Sequence, residues 1–329
     1  MDKFHNTNTF YVKCHEKMTG KVVMKNIKTN FGKQIIILSV ALLIALPVRV
    51  YQYLGVIDGT TGFYNSWTNP TVFGLYGLCA LVIILEIVLA LKGSKNALYT
   101  MPDGKRMPLG IASLAGAVAF LAEGGYNAFR LVSISSGQLP VQQLVLGDNI
   151  GKSSFVFTAL QTVFALLSAV YFCLLAAGYL TGKAQYKKAN ILSVAPVIWG
   201  VARLMLDFTQ TVSYRYVSEL MFDLLMVVFI CMFGVAFAKL SIGTLEKRVQ
   251  MRVFSYGLLA VFFALLNAVP RYIMLLMGRQ DLLYRQSAVA EVTDLVLPVF
   301  IMVFIFALAS TKHYKSVEEY AVAEEGEQE

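Results

Sequence analysis

Histidine is scarce in this chain and badly placed for chemistry inside an apolar bundle. His5, His15 and His313 all flank the apolar part of the sequence. A zinc centre held between helices needs His or Cys ligands that converge. The four cysteines do not supply them. Cys14 precedes the first apolar run, and Cys79, Cys173 and Cys231 fall in three different ones. The same scatter gives no basis for a disulfide framework. The last apolar runs hold no lysine that could carry a Schiff base. Gly147-Asp148-Asn149-Ile150-Gly151-Lys152-Ser153 is one residue short of a phosphate-binding loop and is rejected as one. Enzymatic readings are therefore weak, and no cofactor or metal is expected.

Charge is also sparse. Charged residues make up 15% of the 329 and hydrophobic residues 57%, against about 25% and about 45–50% in soluble domains. Long polar connections are missing too, which leaves no room for a separate soluble domain. What fills the chain is a series of apolar runs, each near the roughly 20 residues needed to cross about 30 Å of hydrocarbon as helix. There are eight: Gln34–Leu54, Thr71–Leu91, Met107–Leu131, Phe155–Leu180, Ile191–Phe208, Glu219–Leu240, Val253–Met277 and Ala288–Ala309. The fold expected is an all-α integral membrane protein with an eight-helix transmembrane bundle over residues 34–310. A basic segment, 1–33, precedes it. Because those residues are mostly polar, the first run reads as a span rather than a signal peptide. Residues 311–329 form an acidic tail. From Glu318 to Glu329 it has six glutamates and no basic residue, the composition of a disordered segment.

The net charge of +8 would suggest nucleic acid in a soluble protein. Here no nucleic-acid module is present and the charges sort by side. Cytoplasmic loops collect Lys and Arg. With the N-terminus inside, the inner segments hold 20 of the 28 basic residues. The outer loops hold four: Lys152, Arg215, Arg279 and Arg285. This predicts a cell-membrane protein with both termini cytoplasmic, its inner lysines facing anionic lipid.

The remaining four basic residues lie inside the odd-numbered runs, one in each: Arg49, Arg130, Arg203 and Arg271, spaced 81, 73 and 68 residues apart. Each falls in the outer half of its span, at 1.5 Å of rise per residue. A helical hairpin of about 75 residues used four times would produce this spacing, so an internal repeat is expected. The even runs answer with acids. The sixth carries Glu219 and Asp223, and the eighth Glu291 and Asp294, each pair on one helix face. Glu123 and Asp207 join the same depth, with the amides Gln52, Asn127 and Asn267. The second and fourth runs offer only Glu86, nearer the inner side, and Gln161. The third run is rich in Gly and Ala, which let helices approach closely. It is expected to be central, presenting Glu123, Asn127 and Arg130 inward.

Ionisable groups in a span are costly to insert, about 2.5–3.5 kcal/mol each at the centre, and by default mark function. Two readings follow. In the first, Arg49, Glu123, Asn127, Arg130, Arg203, Asp223, Arg271 and Asp294 line an outward-facing mixed-charge site. The protein is then a transporter or channel for a small polar or charged solute or ion. In the second, it is a non-catalytic sensor or partner subunit, and the charges are structural ion pairs. Arg203 and Asp207, four residues apart on one helix, can pair directly. The lipid bilayer is the one firm partner; oligomeric state is not encoded legibly.

Overall fold

The computed structural model describes residues 31–58, 64–66, 69–92, 98–136, 152–183, 185–209, 217–243, 249–279, 283, 291–311 and 313–314. The basic segment before residue 31, the glycine stretch 147–151 and the acidic tail from residue 315 lie outside them.

Each apolar run becomes a helix, because only a helix satisfies every backbone polar group within one segment where no water is at hand. The helices are α1 (Phe31–Val56), α2 (Pro70–Leu91), α3 (Met107–Ser135), α4 (Lys152–Thr181), α5 (Ala195–Thr209), α6 (Val217–Ser241), α7 (Val249–Leu276) and α8 (Val292–Ala309). All eight spans are long and apolar enough to cross a membrane. The last turn of α1, Gln52–Val56, is π-helical. A 3-10 stretch, Gln185–Val194, extends the short α5. Helix starts follow local chemistry. Asn69 caps α2 by accepting from the Thr71 amide at 3.0 Å, with Pro70 at the first helical position. At the end of α7, Gly278 takes a positive φ of 73°, which an L side chain would resist.

Helices α3 to α8 pack in chain order, and α8 returns to pack on α3. The six form a closed ring. The α1–α2 hairpin lies outside it, with α2 against α7 and Phe31 of α1 edge-on to Phe254 of α7 and Phe306 of α8. The ring has a near end, where α1 starts, and a far end. At the near end Arg106 closes the ring. Its Nη1 donates to the Ala307 carbonyl and to Ser310 Oγ, both at 2.9 Å, so the start of α3 holds the end of α8. Leu98–Tyr99 and His313–Tyr314 pair there as antiparallel two-residue strands, β1 and β2.

The ring interior is filled with aromatic rings. Phe120, Phe172, Phe237, Phe300 and Phe304 contact one another in edge-on, tilted or stacked pairs with centroids 4.8–6.0 Å apart. The outside is apolar as well: Leu43, Phe73, Ile111 and Phe129 are exposed large hydrophobics. A soluble bundle would hide them; hydrocarbon would not penalise them. The coarse expectation of a polytopic all-helical membrane protein is therefore supported.

The expected centrality of α3 needs correction. The most enclosed span is α7, 83% buried over its apolar window against 56% for α3. α7 is walled on one side by the ring and on the other by the hairpin; α3 has lipid-type surface on its outer face. The close-packed glycines of α3, Gly110, Gly116 and Gly124, all face α4. A Cβ at Gly116 would lie 2.7 Å from Phe172 Cδ1, whereas one at Gly125 would meet nothing within 4 Å. Gly116→Leu is expected to cost on the order of 1–3 kcal/mol, the usual range for overpacking. Gly125→Ala should be neutral or slightly stabilising. Thermal unfolding of both variants in detergent checks the contrast.

Candidate functional site

At one level along the ring, buried polar groups from all six of its helices come together. The centre is Arg203 of α5, 1% exposed. Its Nη1 and Nη2 donate to the two oxygens of Asp294 on α8, at 2.5 and 2.8 Å. This is a bidentate pair, the geometry that a planar guanidinium favours. Nη2 also reaches Asp223 Oδ1 of α6 at 2.8 Å. Arg271 of α7 completes the lattice. It pairs with Asp294 Oδ2 at 3.3 Å, with Glu219 Oε1 at 3.3 Å, and with Glu291 at the start of α8. Asn267, one turn before Arg271, donates to Asp223 Oδ1 at 3.0 Å. Asp294 thus receives both arginines, and Asp223 receives Arg203 and Asn267.

The ion pairs run between helices. Arg203 pairs with Asp294 and Asp223, and its expected partner Asp207 is not among its ion pairs. The i, i+4 spacing places Asp207 one turn nearer the far end, buried at 2%. The carboxylates from α6 and α8 reach the donor edge of the Arg203 guanidinium from two different helices.

Beneath the lattice, towards the aromatic filling, sits Glu123 of α3, 0% exposed. Its Oε1 accepts from Gln161 Nε2 of α4 at 2.9 Å and from Trp199 Nε1 of α5 at 2.8 Å. Thr293 Oγ1 of α8 donates to Oε2. No Lys or Arg among the described residues lies in ion-pair range of it. Phe120, one turn earlier on α3, packs edge-on against the Trp199 ring at 5.0 Å. Glu123 therefore marks the boundary between the charged layer and the aromatic plug.

Arg49 sits apart. Its guanidinium lies 4.7 Å from the ring centroids of both Tyr53 and Phe222. It donates to Gln52 Oε1 at 3.0 Å, Tyr64 Oη at 3.3 Å and Tyr53 Oη at 3.5 Å. Tyr64 belongs to this cap: Ile57 bridges to Tyr64, and Tyr64 Oη lies 3.2 Å from Tyr76 Oη. No described carboxylate lies in ion-pair range. Arg130 is half-exposed, over the ring of its own Tyr126 at 5.6 Å, and is not part of the lattice. Asn127 is buried beside it on α3, with 7% exposure.

Of the eight expected site residues, the structure brings Arg203, Asp223, Arg271 and Asp294 into one lattice and Glu123 directly below it. Arg49 touches this assembly only through the Phe222 ring next to Asp223. Sequence reasoning missed Trp199, Thr293 and the tyrosines around Arg49. Trp199 lies one turn before Arg203, and Thr293 adjoins Asp294, so both carried a positional signal. The tyrosines did not, because the loop that returns Tyr64 is a tertiary feature. Among the described residues, no group of three or more His, Cys, Asp or Glu could hold a metal ion. No family model, curated protein or solved structure matches this chain.

Proposed function

We propose that the protein is a multi-pass membrane transporter or channel for a small cation, the proton included, with its site at Glu123 and the lattice above it. The observation that carries this reading is the setting of Glu123. A fully buried carboxyl accepts from neutral donors on three different helices and has no described cation in ion-pair range. Ionisable groups that face a bundle interior mark ion and proton pathways by default. The Gln161 and Trp199 bonds both use Oε1, so Oε2 can gain a proton by reversing its bond with Thr293, and the cage stays closed. Below Glu123 the aromatic plug shuts the ring. Above it Arg203 and Arg271 hold α5 to α8 together, and rearranging their pairs would open the layer. The positive-inside pattern puts the far end, with the lattice, on the outer side of a cell membrane, and both termini in the cytoplasm. The four-hairpin origin remains part of this proposal, resting on the arginine spacing.

A second reading has its own observation. Arg203 and Arg271 are each paired with at least two carboxylates, as expected of ion pairs that only fix helix order in a sensor or partner subunit. Purified protein in liposomes separates the two. Imposed proton, sodium and potassium gradients are followed with a trapped pH dye and ion-selective dyes. The transport reading expects faster dissipation of at least one gradient than in protein-free vesicles. It also expects Glu123→Gln, with unchanged melting behaviour, to return that rate to the protein-free value. Wild-type rates equal to protein-free vesicles in all three gradients would overturn it in favour of the second.

A further inference from the structure

Glu86 belongs neither to the lattice nor to the Glu123 cage, yet it is 0% exposed. It lies on α2 outside the ring, five residues before Leu91, or about 7.5 Å from the near end by helical rise. Its surroundings come from three helices. Gln34 of α1 stands beside it. That amide's Nε2 is directed to Ser255 Oγ of α7 at 3.5 Å. Neither carboxyl oxygen of Glu86 forms a hydrogen bond with a described residue. The titratable groups nearest in sequence on the flanking helices are Lys33 on α1, Arg252 and Tyr256 on α7, and Cys79 and Lys92 on α2 itself. None forms a described ion pair or hydrogen bond with Glu86, and Lys33 is exposed.

A buried carboxylate persists only with donors or a cation; otherwise the group neutralises. Glu123, Glu219, Asp223, Glu291 and Asp294 each have such support. A carboxylic acid at Glu86 has an O–H to give to the Gln34 amide oxygen. A carboxylate could call only on the Gln34 amide, whose Nε2 is already directed to Ser255 Oγ. The near end is the shorter way to water, about 7.5 Å along α2.

We propose that Glu86, with Gln34 and Ser255, is a proton-binding site between the peripheral hairpin and the ring. Loaded, it is a neutral carboxylic acid that lets α1 and α2 lie against α7. Unloaded, its charge draws the side chain towards near-side water and loosens that seam. The site is separate from Glu123 and does not depend on transport through the ring.

Infrared difference spectroscopy of the full chain in lipid tests it. At neutral pH the wild type should show a protonated-carboxyl C=O band that Glu86→Gln lacks. The band should shift in heavy water within the time of buffer exchange and fade as pH is raised. Glu86→Gln, the neutral isostere, should keep the fold and remove the pH dependence of α1–α2 hydrogen exchange. A wild-type spectrum with no Glu86-dependent band at neutral pH would overturn the proposal. So would a band that ignores both heavy water and alkaline pH up to unfolding, since that describes a sealed structural acid. Neither result touches the vesicle assay for Glu123.

Discussion

Asp294→Ala is expected to lower the unfolding free energy by about 3–5 kcal/mol, the range for removing one partner of a buried ion pair. Asp294 receives two bonds from Arg203 and one from Arg271, so its loss strips charge compensation from both. Arg203 would keep only Asp223, while Arg271 would keep Glu219, Glu291 and, at 4.0 Å, Asp223. The penalty comes from the stranded guanidinium more than from the lost attraction. Removing both members of a pair should therefore hurt less than removing one. Arg203→Met combined with Asp294→Leu is expected to be more stable than Asp294→Ala alone. Denaturant titration in mixed micelles, with both single variants and the double, gives the coupling; contacting residues couple by about 0.5–3 kcal/mol. A double variant as unstable as the sum of its singles would show that the lattice does not act through charge compensation.

Arg49→Ala is expected to cost about 3 kcal/mol, and locally. Cation–π contacts reach about 2 kcal/mol when desolvated, and bonds to a charged donor contribute about 1.5–3 kcal/mol. Arg49 has two rings and three side-chain acceptors, whose effects overlap rather than add. Phe222 belongs to α6, so this residue ties the far end of the hairpin to the ring. Arg49→Lys should recover only part of the loss, because an ammonium lacks the flat face that stacks between two rings. Hydrogen exchange is the measurement. Faster exchange in α1 and α2, with α3 to α8 unchanged, is the expected pattern. A uniform rise across all eight helices would show that Arg49 supports the ring itself.

The spans were legible because the sequence writes hydrophobic length directly, and the bounds expected for α2 and α3 start within one residue of those observed. Depth was legible for the same reason: residues counted from a helix end give distance along its axis. Azimuth was not. Arg49, Arg130, Arg203 and Arg271 stand at similar depth, but only Arg203 and Arg271 meet. Which way each points depends on which helices are neighbours, and helices apolar on every side do not declare a buried face. The small residues of α3 pointed to close packing without naming α4 as the recipient. The paired acids of α6 and α8 were the better guide, because both pairs ended on the arginines they were counted against. Trp199 went unnoticed since an indole in an apolar run reads as filler until its N–H is seen to reach Glu123.

The ring order has a consequence for how the protein is made. α8 is the last of the eight spans to be synthesised, and it supplies Asp294 to Arg203 and Arg271, Glu291 to Arg271, and Thr293 to Glu123. Until α8 arrives, five helices stand as an open arc with two arginines short of their principal counterions. Closing the ring and neutralising its charges are therefore one event, because the same helix brings the counterions to α5 and α7 and the contact back to α3.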